Sequence, residues 1–350
     1  MASANGDVSS IQVPACSRCE NPAVIHQTYS GQHLCHIHLA NSIHKRVSRE
    51  IRLQLDLPKD ARDEDGNPSV LLVAISGGKD SAVMLDQLNR IIGPRRDIEL
   101  VAGCVDEGIA GYRAPSMKCA QGLAETLGLR FETISYPDLG FDEMDAVVKA
   151  MPSMAESNSD AKGLKSCSYC GVFRRQGLNA LAARVNARWM ALGHNLDDVA
   201  QSVLMNLAKG EMGRIIRLAP HTWMPLEGLA PRIVPLRWIP EAEIHAYAMG
   251  KELPFHHDDC PYAPGAARQY HREHIAAIEQ SSPGARHGLV HAMDAMRELW
   301  RATREAEGEM PDSWNLGVAQ SCERCGEPTS KPICQACTFK QWLVDAAESD

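Results

Sequence analysis

The chain reads as an α/β protein with a parallel sheet and a small metal-binding module near each end. Three observations predict this. The apolar run Val70-Leu71-Leu72-Val73-Ala74-Ile75 leads into Ser76-Gly77-Gly78-Lys79-Asp80-Ser81; short apolar runs alternate with helix-period segments over residues 69–207; and cysteine pairs at two-residue spacing stand near both ends. A short β-branched run reads as a buried strand, and apolar residues at helical spacing beyond it (Val83, Leu85, Leu88, Ile91, Ile92) read as a helix. A strand that feeds two glycines into a helix N-terminus brings backbone amides close to an oxyanion, with the helix dipole favouring negative charge. Lys79 adds a point charge. Aspartate, not Ser or Thr, follows that lysine, so this is not the loop of γ-phosphate-transferring enzymes.

With 350 residues and 44% apolar content, the chain can bury one large core with small appendages. The formal charge of −8 argues against a wholly basic nucleic-acid-coating surface, while leaving room for a local patch. Residues 171–217 hold such an excess, with Arg174, Arg175, Arg184, Arg188, Lys209, Arg214 and Arg217 against Asp197, Asp198 and Glu211. The start, Met1-Ala2-Ser3-Ala4-Asn5-Gly6-Asp7, lacks the basic and apolar regions of a secretory signal. No apolar stretch approaches the ~18 residues of a membrane span. The expectation is a cytoplasmic protein, in which twelve cysteines point to metal or redox chemistry rather than disulfides.

In chain order, Cys16-x2-Cys19 and Cys35-x2-His38 are separated by fifteen residues and form two chelating pairs. Of the nearby histidines only His38 stands in register; His26, His33 and His36 read as surface residues. A basic helix with Ile43, Val47, Ile51 and Leu55 follows, then a linker over 56–68 rich in Asp, Pro and Gly. Strands are expected at 70–75, 98–105, 130–135 and 188–192, and helices to Ile92, over 115–127, around 142–150, after Cys170 and from Asn195. A polar break is read at 156–165. Such alternation implies a parallel sheet covered on both faces, with ligands at the carboxyl ends of its strands. Gly193-His194-Asn195-Leu196-Asp197-Asp198 falls at such an end. Asn195 suits a helix cap, and Asp197 and Asp198 suit either the helix dipole or Mg²⁺ and ATP. Helices over 241–249, 268–278 and 288–305 complete the body. Cys322-x2-Cys325, eight residues, and Cys334-x2-Cys337 repeat the chelating design with four thiols. Both spacings fit structural zinc, whose closed ligand shell supplies folding energy to segments too short for a core.

Five cysteines remain. Cys104 closes a strand and Cys119 lies in the next helix, where burial is the expected role. Cys167-Ser168-Tyr169-Cys170 is a third chelating pair, with Cys260 far off in His256-His257-Asp258-Asp259-Cys260-Pro261. Spacing leaves three readings open: an iron-sulfur cluster with one iron free of protein ligands, a third zinc completed by His256 or His257, or a redox pair without metal.

Ser76 to Ser81, Val105-Asp106-Glu107-Gly108-Ile109, Cys167-Ser168-Tyr169-Cys170-Gly171-Val172-Phe173-Arg174-Arg175, Gly193 to Asp198 and Asp259-Cys260-Pro261 stand in an order that resembles the TtuA/NcsA family of tRNA uridine 2-sulfurtransferases. The resemblance runs over residues 16–340, including both zinc modules. It implies the PP-loop fold, adenine nucleotide alpha hydrolase-like and Rossmann-like, as an ATP-binding catalytic domain over 69–310. Before it would come an N-terminal zinc module over 1–40 and a helix and linker over 41–68, and after it a zinc ribbon over 311–345. It also implies a [4Fe-4S] cluster on Cys167, Cys170 and Cys260. ATP contacts would fall at Ser76, Gly77, Gly78, Lys79, Asp80, Ser81, Val105, Gly193 and Asp198, with Lys79, Arg174 and Asp198 taking part in catalysis and Arg174 also contacting the nucleotide. Some relatives have lysine where Arg174 stands; arginine keeps the charge but cannot shuttle a proton.

The chemistry implied is attack of uridine O2 on the ATP α-phosphate, with Mg²⁺ and Lys79 stabilising the charge, followed by replacement of the AMP group by sulfur. Implied partners are tRNA, a ubiquitin-like thiocarboxylate carrier or sulfide as donor, and a second copy in a homodimer. The zinc modules and the positives over 174–217 are expected to grip the tRNA. Cytidine 2-thiolation and a non-catalytic, zinc-dependent RNA-binding role are the alternatives.

Overall fold

The computed structural model describes residues 13–55, 57–221, 228–264, 267–306 and 320–349. The expected boundary at 310/311 lies outside them, as do residues 1–7. In chain order the body holds β1 (Ile25–Gln27), β2 (Gln32–Leu34), α1 (His36–Gln54), β3 (Ser69–Ala74), α2 (Lys79–Ile91), β4 (Ile98–Asp106), α3 (Arg113–Thr126) and β5 (Arg130–Ser135). It continues through α4 (Met144–Ser157), α5 (Ser166–Arg184), β6 (Ala187–Leu192), α6 (Leu196–Ala208), α7 (Met212–Ile216), β7 (Arg232–Ile233), α8 (Glu241–Gly250), α9 (Ala267–Ser281) and α10 (Ala285–Glu305). The chain closes with β8 (Gln320–Ser321), β9 (Pro328–Thr329) and α11 (Gln335–Ser349).

Five strands form one parallel sheet in the order β5-β4-β3-β6-β7. The central β3 is buried along most of its length, so its side chains alternate between two apolar layers rather than between core and water. Leu71 and Val73 join a core with α1, α2, α3 and α8, whereas Val70 and Leu72 join another with α4, α5 and α11. A smaller cluster gathers α6, α7, α9 and α10.

Three sequence expectations need correction. The N-terminal metal module and the basic helix are not consecutive, because α1 starts at His36 and itself carries His38, with Cys35 as its N-cap. Helix α4 runs to Ser157, past the expected end at 150 and into the polar break, its buried Met154 continuing the face begun by Met144 and Val147. The helix expected after Cys170 starts at Ser166, so that both Cys167 and Cys170 lie within it. The two-residue strand β7 carries too little periodicity to be read from sequence. The linker is also tied down: the Ala61 N–H donates to Asp97 Oδ2 at 2.7 Å, and Ala61 is fully buried.

Candidate active site and metal modules

The loop after β3 curves where the sequence places its glycines. Gly77 has φ +89°, and a Cβ there would lie 1.9 Å from the Ser116 carbonyl oxygen, so only glycine lets the loop pass α3. Gly78 caps α2 in extended conformation, and its amide donates to Ser76 Oγ at 3.3 Å. Ser81 folds back, its hydroxyl donating to the Gly78 carbonyl at 2.8 Å and accepting from the Ser76 amide at 3.1 Å. Gly193, at the end of β6, lets that strand lie against the start of α2, since a Cβ would stand 3.4 Å from Ser81 Cα and N.

Lys79 Nζ lies 3.1 Å from Asp80 Oδ2 and 2.7 Å from Glu241 Oε1. Desolvation works against its charge, but the two carboxylates outweigh it and raise its pKa. Asp80 is raised by burial, opposed by Lys79 and by the Asn195 amide at 2.9 Å; Asp198 adds a nearby negative charge. Asn195 and Asp198 form the reciprocal capping box of α6: Asp198 N–H donates to Asn195 Oδ1 at 3.0 Å, and Asn195 N–H to Asp198 Oδ2 at 3.2 Å. Asp198 thus meets its helix-terminus expectation while standing beside Asp80. Asp197 turns elsewhere, accepting from the Glu241 amide at 2.8 Å and pairing with Arg286 at 3.0 Å.

Across the sheet, α5 presents Cys167 and Cys170 in its first turns. The segment carrying Cys260 is brought back by the His256 N–H, which donates to the Gly77 carbonyl at 2.8 Å, and Cys167 Sγ lies 3.8 Å from the Tyr262 carbonyl. Burial first, then the nearby Cys170 and Cys167, raises the Cys260 thiol pKa. The three sulfurs do not close to the 4.8 Å mutual spacing of a single-ion site, and no group of that kind among the described residues includes His256 or His257. Three thiols carried by these two segments suit a cluster, in which each thiolate takes a different iron. Tyr136 donates to the Cys170 carbonyl at 3.0 Å, and Arg174 Nη2 lies 3.2 Å from Cys170 Sγ.

One buried carboxylate joins these two halves. Glu107, just past β4, lies 2.7 Å from Arg113 Nε through one oxygen and 2.7 Å from Arg174 Nε through the other. Arg113 in turn donates to the Ser76 carbonyl at 2.9 Å, to Cys104 Sγ at 2.8 Å and to the Val105 carbonyl. Val105 therefore reaches the loop through Arg113. Glu107 holds Arg174 well above its ordinary pKa, so Arg174 keeps its charge and takes no proton. Cys104 is fully buried, its thiol pushed up to about 11 mainly by desolvation, as expected of a packing cysteine; Cys119 is half-buried.

Both terminal modules are assembled. His38 Nδ1 lies 3.4, 3.5 and 3.4 Å from the sulfurs of Cys16, Cys19 and Cys35, and Cys19 is 3.7 Å from Cys35. A tetrahedral zinc with ordinary bond lengths sets edges of about 3.6 Å to nitrogen and 3.8 Å between sulfurs, so these four fit it. Cys322, Cys325, Cys334 and Cys337 form the second group, with Cys325 and Cys334 sulfurs 3.6 Å apart. Cys16 and Cys322 each go down to about 6, since backbone amides facing the sulfur outweigh desolvation, whereas burial pushes Cys334 up to about 11 and raises Cys337. Thiolates are the form a metal needs.

Four of the seven positives expected over 174–217 are engaged within the protein: Arg174 by Glu107, Arg184 by the Thr133 carbonyl, Arg188 by the Ala61 carbonyl at 3.2 Å, and Arg214 by Glu211 at 3.1 Å. Sequence reading missed Arg113, Glu241 and Tyr136 and gave Glu107 no role. For Glu107 the available signal was a carboxylate directly after the end of a buried strand; the others carried none.

Residues 16–40 match the family described as the N-terminal LIM domain of 2-thiouridine synthetase TtuA, and residues 49–278 match the PP-loop domain. The tRNA 2-thiolation protein NcsA of Haloferax volcanii is 37% identical over 95% of this chain and 99% of its own length. The cytoplasmic tRNA 2-thiolation protein 1 of Bos taurus is 33% identical over 94% of this chain and 88% of its own. Among solved structures, the U34-tRNA thiolase NcsA from Methanococcus maripaludis with its [4Fe-4S] cluster superposes with a TM-score of 0.72 at 26% identity, covering 95% of this chain and 97% of that one.

Proposed function

The chain belongs to the PP-loop family and, within it, to the tRNA 2-thiolation proteins, and from that premise we propose that it replaces O2 of a tRNA uridine with sulfur using ATP. The uridine O2 attacks the α-phosphorus and pyrophosphate departs, converting a poor leaving group into AMP. Sulfur then adds at C2 and AMP leaves. The N-terminal amides of α2 and the Lys79 ammonium face the phosphates, stabilising charge that grows in the transition state. Ser76 to Ser81, Val105 and Gly193 hold the nucleotide, and Asp80 and Asp198 hold Mg²⁺. Arg174 serves as a fixed positive charge between the nucleotide and Cys170, the proton from the pyrimidine passing to another acceptor.

Cys167, Cys170 and Cys260 hold a [4Fe-4S] cluster, which when bound supplies an iron open to a sulfur ligand. Two zinc ions belong to the terminal modules. A ubiquitin-like thiocarboxylate carrier or sulfide donates the sulfur, and the protein works as a homodimer in the cytoplasm. Among the described residues no helix is long and apolar enough to cross a membrane. The division at 68 and 310 is part of the same proposal, with the first module sharing α1 with the helix that follows it.

The observation that carries this reading is the tie between the His256 amide and the Gly77 carbonyl, which seats the Cys260 segment against the phosphate loop. Mass spectrometry of tRNA from a deletion strain is expected to lose a 2-thiouridine. Unchanged thiolation would overturn the function, and loss of a 2-thiocytidine instead would transfer it to the cytidine alternative. Cys260→Ala is expected to abolish thiolation and the visible iron-sulfur absorption while both zinc ions are retained; a fully active variant would refute the cluster assignment.

A further inference from the structure

A uridine presented for chemistry must leave its stack, so the nucleotides around it need a grip that does not depend on the reacting base. Four of the seven positives over 174–217 are taken up by partners within the protein. A cavity of about 770 Å³ between α1 and α10 offers such a grip, lined by five arginines against Glu50, Asp294 and Glu298 in a chain whose formal charge is −8. A locally positive concavity on a negative protein marks a surface that attracts polyanions.

The charges divide into a floor and a rim. On the floor, Arg237 pairs with Asp294 and lies 3.5 Å from Glu50, while Arg46 pairs with Glu243, so these groups are neutralised within the protein. At the rim stand exposed Arg49 and Arg301, with the exposed carboxylates Glu298 and, 3.9 Å from Arg301, Glu305 beside them. The wall is aromatic: Trp238 packs against His291 with ring centres 4.5 Å apart, and Tyr29 against His287 at 4.5 Å. Rim guanidinium groups over a wall of flat rings match the phosphates and unstacked bases of single-stranded RNA.

The cavity is also joined to the nucleotide end of the sheet. Trp238 precedes Ile239, whose carbonyl accepts from the Leu196 amide at 3.0 Å, and Arg286, beside His287, pairs with Asp197. It thus lies on the β6-β7 side of the phosphate loop, whereas Tyr136, just past β5, holds the Cys170 carbonyl on the other side.

We propose that this cavity binds an unpaired stretch of the tRNA next to the reacting uridine, Arg49 and Arg301 contacting its phosphates and the Trp238 wall its bases. The assignment rests on tRNA being the substrate. The test is tRNA affinity, measured over a range of salt, of the Arg49→Glu/Arg301→Glu protein and its Gln/Gln counterpart, beside ATP affinity and metal content. The charge-reversed protein is expected to bind tRNA about tenfold more weakly, with the slope of log K against log salt flatter by about two, and with ATP binding and metals unchanged. The Gln pair is expected to show the same flattening with a smaller loss. In parallel, tRNA carrying photoactivated 4-thiouridine is expected to cross-link to peptides of α10. Unaltered affinity and slope in both variants, beside a wild type that binds tRNA, would overturn the cavity assignment alone. A wild type that binds no tRNA would instead remove the functional reading beneath it.

Discussion

The two terminal metal modules look alike in sequence but brace opposite faces of the sheet. The N-terminal one leads into α1, which packs with α2 and α8 in the core on the Leu71 and Val73 side. Helix α8 starts at Glu241, the partner of Lys79. The C-terminal one leads into α11, whose Phe339 ring packs 4.4 Å from Tyr169 and 6.2 Å from Phe173, both on the helix that presents Cys167 and Cys170. Similar chelates therefore support different halves of the candidate site: one backs the loop after β3, the other the thiols. Their spacing says that each could hold a metal ion, and only their docking says what each stabilises.

The strongest way to break this contrast is to remove one ligand from each. Cys322→Ser is expected to cost the iron-sulfur absorption and thiolation while ATP affinity stays near that of the wild type. Cys16→Ser is expected to do the reverse, weakening ATP binding several-fold and leaving iron content largely intact. Equal damage to both readouts by both variants would erase the distinction between the faces. Metal analysis with nucleotide titration measures each arm.

Glu107 sharpens it, because that carboxylate spans the two halves. Glu107→Gln leaves Arg113 buried without its anion, and uncompensated buried charge costs about 3 kcal/mol. Thermal unfolding should register that loss, and thiolation should fall much further than stability explains, since Arg174 and the Ser76 carbonyl both lose their shared anchor. A variant as stable as the wild type would mean that the two arginines find other partners. Asn195→Ala is the mildest: it removes one half of the α6 capping box and the bond to Asp80, expected to cost about 1 kcal/mol in denaturant unfolding. A weaker ATP affinity should accompany it, with iron content unaffected.

The sequence made the nucleotide side easy to read. A buried strand, two glycines and a helix start are local features, and Gly77 and the α6 capping box appear where the chain order puts them. Both metal modules were legible for the same reason, each being a pair of local chelates. Glu107 was not, because its importance comes from Arg113 and Arg174 meeting it from two helices, 6 and 67 residues on. The basic segment shows the limit of that locality: four of its seven positives are taken up by partners within the protein, whereas Arg49 and Arg301, 252 residues apart, line one cavity.

The loop glycines differ in how much freedom they leave to an engineer. A methyl group at 77 would overlap the Ser116 carbonyl, but at 78 it would meet nothing nearer than Ser76 Oγ at 3.5 Å. A side chain at 77 would therefore break the loop's own packing, whereas one at 78 would leave that packing intact and be felt first by the phosphates the loop faces.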